Sequence, residues 1–229
     1  SNDARFYFDA YDVGTATTSI ELNHIIESLD KTALTEAAET ILAGIRRDEI
    51  SWAGLFDDGT SLNAAAGTLL GTGSGILSLF LGSTVGDVAY AETVFLLGYK
   101  PAANLAELVK LEAIFRPTGG TWNRTQIFYL KSSGSGTVTG DIIDNGTVTG
   151  AGGTAYYHVF AVSGTGTGSL LIEHGTSTGT MTAILTVGTI GSGTSGLVST
   201  TSTIERYRRV KYITPASGTM AVAVSFKRS

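Results

Sequence analysis

Apolar and polar positions alternate with a period of two along most of this chain, the pattern of strands that bury one face. Phe6, Phe8 and Ala10 alternate with Tyr7 and Asp9, a second such run covers 17–26, and Val13-Gly14-Thr15 supplies a turn between them. Residues 4–11 and 17–26 are therefore expected to form a hairpin. From Ile50, the series Ile50, Trp52, Gly54 and Phe56 alternates with Ser51, Ala53 and Leu55 until Asp57-Asp58-Gly59 ends it. Leu62, Ala65, Ala66, Leu69 and Leu70 instead fall at helical spacing behind Ser61, a suitable N-cap, and predict one short amphipathic helix. Strands are expected again over 76–81, 88–99 and 105–117, the last two joined by the turn-forming Lys100-Pro101-Ala102-Ala103-Asn104. In the last of these, Leu105, Glu107, Val109, Leu111, Ala113 and Phe115 share one face. The other carries Lys110, Glu112 and Arg116 and is expected to meet water or a lumen.

The texture changes at residue 131, where glycine, serine and threonine take over. GTVTG occurs at 136–140 and again at 146–150 around Asn145-Gly146, which reads as a small hairpin or a linker, since a solenoid needs at least three repeats. Beyond it, strands are expected at 155–163, 169–174, 181–187, 204–213 and 219–227. Short strands at this regular spacing argue for an antiparallel β-sandwich of jelly-roll or immunoglobulin-like type. The expected organisation is thus 1–130, a Gly/Ser/Thr-rich linker or hairpin over 131–153, and a sandwich over 154–229.

Charge follows the same division. Residues 1–130 hold 16 Asp+Glu against 8 Lys+Arg, and the remainder 4 against 7, giving −8 and +3. With 42% hydrophobic and only 15% charged residues, the chain is not a charge-rich disordered protein. No apolar run approaches the ~20 residues needed to cross a bilayer, and the opening residues lack the pattern of a signal peptide. The absence of cysteine excludes disulfides and thiolate metal sites.

Candidate chemistry is sparse. His24, His158 and His174 all sit in expected strands without metal-ligand spacing or a neighbouring carboxylate cluster, so no catalytic, cofactor-binding or metal-binding residue is expected. Asp57 to Ser61 lacks the alternating oxygen ligands of a calcium loop, and Gly71 to Gly75 lacks the Lys-Ser/Thr of a phosphate loop. Arg206, Arg208, Arg209 and Lys211, interleaved with Tyr207 and Tyr212, form the basic run. Strand alternation sends Arg206 and Arg208 to one face and Arg209 and Lys211 to the other, so a solvated sandwich face is expected rather than a nucleic-acid groove.

The stretch 29–59, LDKTALTEAAETILAGIRRDEISWAGLFDDG, resembles the core signature of siphophage major tail tube proteins. The matching residues are Leu29, Asp30, Thr32, Ile41, Gly44, Arg46, Asp48, Ile50, Trp52, Gly54, Phe56, Asp57 and Asp58. The resemblance spans 1–130. It implies a mainly β tail-tube fold, a β-sandwich or barrel with one short helix and a long inter-ring loop, to which the C-terminal sandwich is appended. Its inter-ring loop candidates here are Asp30, Lys31, Thr32, Glu36, Glu39, Arg46, Arg47 and Asp48. Propensity alone reads 35–45 as a helix capped by Thr35, while the resemblance implies an extended arm, and we follow the latter.

The function so implied is a structural virion protein, not an enzyme, that polymerises into stacked hexameric rings. These form the tail tube, a negatively lined conduit. The implied partners are further copies of the chain, tape measure protein and genomic DNA in the lumen without tight binding, and tail terminator and distal tail proteins at the ends. No cofactor and no membrane is involved, and the implied location is the virion, with the host cytoplasm during assembly. The alternative is a virion surface or decoration protein whose C-terminal sandwich binds host-surface glycan; large convergent aromatic platforms would favour it, and the sequence offers only Tyr156, Tyr157, Tyr207 and Tyr212.

Overall fold

The period-two pattern becomes strand nearly everywhere in the computed structural model, which describes residues 4–30, 41–55, 70, 73–102 and 109–229. In the first half the strands are β1 (Arg5–Phe8), β2 (Tyr11–Asp12), β3 (Thr17–Asp30), β4 (Ile41–Leu55), β5 (Ser74–Phe80), β6 (Val88–Ala102), β7 (Lys110–Pro117) and β8 (Asn123–Ser135). The second half holds β9 (Thr137–Thr139), β10 (Ile143–Asp144), β11 (Gly153–Val162), β12 (Gly168–Gly175), β13 (Thr182–Ile190), β14 (Thr194–Thr200), β15 (Tyr207–Ile213) and β16 (Thr219–Arg228). Among the described residues the helical element is a single 3-10 turn, Gly14–Ala16. The short helix expected over Leu62 to Leu70 lies outside the described residues except for Leu70, which stands in a turn.

Among the described residues all strand pairs are antiparallel. One sheet has 11 strands and runs β14-β11-β16-β8-β6-β5-β1-β2, with β7, β4 and β3 branching from β6; the second has five, β9, β10, β12, β13 and β15. The branch arises within β6. Its first residues pair with β8, Val88 to Gln126 through Ala91 to Asn123, and its later ones, from Val94 onward, with β7, with a register shift between Leu96 and Gly98. The large sheet folds over on itself without closing into a barrel among the described residues.

Apolar side chains gather in two main cores. Phe6, Phe8, Ile50, Trp52, Leu77, Val94, Leu96, Leu111 and Phe115 belong to the first, which ends in sequence at Trp122. The second begins at Phe128 and fills the space between the β8, β11 and β16 part of the large sheet and the five-stranded sheet, with Tyr157, Leu170, Ile172, Val210, Tyr212 and Phe226. That arrangement is an antiparallel sandwich. Tyr7, Phe80, Ala89, Ile127 and Ala223 form a smaller cluster between the two cores. β8 crosses residue 131 and pairs with both β6 and β16, so one sheet is continuous through both halves of the chain.

Two local expectations need correction. Residues 17–26 do not pair with 4–11: β1 pairs with β2 and β5, while β3 pairs with β4 along its length. Alternation fixes which face of a strand is buried but not its neighbour, and a fifteen-residue partner satisfies far more backbone donors and acceptors than a four-residue one. The two GTVTG copies do not pair with each other either; Thr137 to Thr139 lie against Lys211 to Ile213, and Thr149 bridges Ile204. Ile41–Leu55 is one long strand, so over 41–45 the chain is extended, as in the extended-arm reading, and not helical as propensity alone suggests; 31–40 lie outside the described residues.

Gly54 shows how closely the first core is packed. A Cβ there would lie 2.3 Å from the Trp52 ring and 2.5 Å from the Ala16 carbonyl oxygen. Trp52 in turn donates its indole N–H to Thr17 Oγ1 at 2.7 Å.

Candidate functional site

Strand pairing singles out one feature. β3 and β4 pair from Thr17 with Gly54 to Asp30 with Ile41, but β7 joins β4 only over Ile50 to Leu55. Residues 23–30 and 41–49 therefore form a two-stranded ribbon with no third strand among the described residues. Cross-strand partners share a face. Moving outward from the core, one face reads Ile20 with Trp52, Leu22 with Ile50, His24 with Asp48, and Ile26 with Arg46. The first two rows pack in the core, the third replaces apolar groups by a carboxylate and an imidazole, and in the fourth Ile26 is 60% exposed.

Asp48 is the anchor of this ribbon. It is fully buried, and its Oδ1 accepts from Arg46 Nε at 2.8 Å while Oδ2 accepts from the Trp122 backbone N–H at 3.2 Å. Arg46 Nη2 and His24 Nδ1 lie 2.8 and 3.0 Å from Oδ2. Burial alone would push this carboxyl up, but the hydrogen bonds from Arg46, Trp122 and His24 outweigh it and hold it below the usual carboxylate range. The ionised group thus ties the root of the ribbon to the segment between β7 and β8. On the opposite face Glu49 meets Arg116 of β7 at 3.6 Å, a partly exposed pair of small energetic weight.

Of the inter-ring loop candidates, Asp30 stands at the far end of the ribbon opposite Ile41, and Arg46, Arg47 and Asp48 lie on β4. Lys31, Thr32, Glu36 and Glu39 lie outside the described residues. The structure brings Arg46 and Asp48 together, whereas Arg47, opposite Ile25, is exposed. His24 and Trp122 were not legible as partners. Trp122 is 74 residues from Asp48, and no local pattern connects them.

A second polar cluster joins the two halves. His158 on β11 is fully buried; its Nδ1 donates to the Asp9 carbonyl at 2.6 Å, and the Ser78 hydroxyl donates to its Nε2 at 2.8 Å. The Asp9 carboxylate accepts from the Ile76 N–H and from Ser195 Oγ, both at 2.8 Å. Asp9 holds φ at 48°, a left-handed conformation that an Asp tolerates better than most residues. A Ser-His pair is present, but both side chains have no exposed surface, so no substrate reaches it.

The basic run is split between two faces, and one of them is not solvated. Arg209 and Lys211 lie 2.7 and 3.2 Å from Glu173, and Arg206 forms a two-pronged pair with Asp144 at 2.6 Å. Arg208, expected on a solvated face, is fully buried beside Phe128 and Phe226. Tyr156, Tyr157 and Tyr212 are buried as well. Among the described residues no group of three or more His, Asp or Glu is arranged to hold a metal ion, and no helix is long and apolar enough to cross a membrane.

No family model matches the chain, and no curated protein matches it. Solved structures give weak likenesses. A chain of the virion of a native gene transfer agent particle aligns at TM-score 0.45 and 15% identity, over 55% of this chain and 97% of that one. The Dit protein of SPP1, described as a hub of the adsorption apparatus in phages infecting Gram-positive hosts, aligns at TM-score 0.39 and 10% identity, over 98% and 99%.

Proposed function

We propose that this chain is a structural virion subunit, not an enzyme, and that it polymerises into stacked hexameric rings forming a tail tube. The observation that carries this reading is the ribbon of 23–30 and 41–49, which leaves the sheet at a buried charged anchor and has no third strand beside it among the described residues. Among the described residues β3 pairs with β4 alone, so its outer edge is free of a further strand there, a liability for a monomer and a template for a neighbour. Phe95, Leu97 and Ile114 on β6 and β7 are 40–50% exposed close by, apolar surface of the kind that marks a contact site.

A ring closes through one heterologous contact, and stacking uses a second that stays open, so a single chain makes a filament of bounded width. Six ribbons contributing only ~2 kcal/mol each would hold a ring junction with ~12 kcal/mol. The −8 balance of residues 1–130 suits a conduit that tape measure protein and genomic DNA pass through without adhering. Terminator and distal tail proteins would bound such a tube, in the virion and earlier in the host cytoplasm. The glycan-binding alternative has less support, because three of its four tyrosines are buried.

A shortened ribbon tests the proposal. Ile26 and Arg46 are direct cross-strand partners, so Asn-Gly in place of 27–45 closes the hairpin while leaving the Asp48 anchor intact. The variant is expected to fold, with circular dichroism and melting near those of the parent, and to yield no sedimenting polymer. Undiminished polymer would contradict a stacking role for the ribbon.

A further inference from the structure

A cleft of about 420 Å³ opens where β8, β16 and the turn after β10 meet, and its lining includes Arg124, Thr125, Gln126, Asn145, Lys227 and Arg228. Three of these are cations, and no Asp or Glu lines the cleft among the described residues. Lys227 donates to Asn123 Oδ1 at 2.6 Å and Arg228 to the Thr147 carbonyl at 2.7 Å, both neutral acceptors. Glu92 lies one hydrogen bond further from Lys227, through the Asn123 amide. The Thr125 hydroxyl and the Asn145 amide nitrogen are buried and have no partner.

Behind this lining stands Arg208. Its guanidinium lies 5.0 Å from the Phe128 and Phe226 rings and donates to Gln126 Oε1 at 3.1 Å, while Nε and Nη1 find no acceptor. Burial and the nearby Arg228 push its pKa down to about 9, so it remains charged at neutral pH. Arg228 and the buried Arg208 repel each other, and the unused donors beside them stay without an acceptor until an anion enters.

We propose that this cleft binds a phosphate group. A carboxylate would bring one negative charge and two oxygens, whereas a phosphate monoester brings nearly two charges and three strong acceptors, which better match guanidinium forks flanked by a hydroxyl and an amide. This site is independent of the tube reading, since the ribbon takes no part in it. The group could be carried by a monoester or by a nucleic-acid backbone.

Calorimetric titration of the full chain at constant ionic strength tests the site with inorganic phosphate and with a short oligonucleotide lacking terminal phosphates. Inorganic phosphate is expected to bind. Arg124→Gln, at an exposed position, should weaken it about tenfold. Thr125→Val, which preserves size and charge, should weaken it about threefold. Melting curves establish that both variants are folded. Tighter binding of phosphate than of the oligonucleotide assigns the group to a monoester, and the reverse order, with the same losses in both variants, assigns it to a nucleic-acid backbone. Phosphate binding no stronger than chloride, or a Thr125→Val variant that binds as the parent does, would overturn the proposal in favour of a loose basic patch.

Discussion

His158 makes the first prediction at the scale of single residues. Its Nδ1 faces the Asp9 carbonyl, which only accepts, so the neutral ring must carry its proton there and accept from Ser78 at Nε2. Burial pushes its pKa down from 6.5 to about 4. The unfolded chain therefore takes up a proton first as pH falls, and the native state loses stability between about pH 6.5 and 4, by about 3 kcal/mol in all. Melting temperatures measured across that window should fall for the parent and much less for His158→Gln; parallel curves would contradict this account. Asp48 acts in a lower window. Its folded pKa lies below the ordinary value, so its contribution is present above about pH 4 and is lost on further acidification. Asp48→Ala removes the acceptor of Arg46 and leaves the Trp122 N–H buried without a partner, an expected cost of about 2 kcal/mol by denaturant titration. Gly54→Ala places a methyl against the Trp52 ring and the Ala16 carbonyl, and about 2 kcal/mol should be lost through overpacking.

Strands were the most legible elements, because their signal is local. The expected strand at 219–227 is β16 to within a residue, and Met220, Val222, Val224 and Phe226 are all buried, as their alternation requires. Ala223 and Ser225 are buried too, since β16 lies between β8 and β11 and is covered on both faces. β14 went unseen because GTSGLVST carries no apolar alternation, and its side chains are indeed mostly half-exposed. Pairing partners were much less legible. That β3 meets β4, or that Asp48 meets Trp122, depends on separations a short window does not encode. The ribbon's strand character could be read from the tail tube resemblance but not from propensity, which favours a helix over 35–45. Its two-stranded geometry leads to an expectation at this scale: amides of 23–30 and 41–49 should exchange rapidly in the free subunit and become protected in polymer. Equal protection in the two states, measured by hydrogen exchange, would remove the ribbon from the assembly contact.

Across the whole molecule, two hydrophobic cores share one continuous sheet. The composition changes near residue 131, and the buried members of the first core end at Trp122 while those of the second begin at Phe128. What composition could not show is that β8 runs through that point with β6 on one part and β16 on another. A chain ending at residue 133 would leave Phe128 and Ile127 without the β16 residues that cover them, and it is expected to aggregate rather than melt cooperatively. Assembly into a tube is read out by electron microscopy of the purified chain. Stacked rings of uniform width with a continuous central channel are expected. A homogeneous population of monomers that yields neither rings nor tubes, over a range of protein concentration and salt, would contradict it.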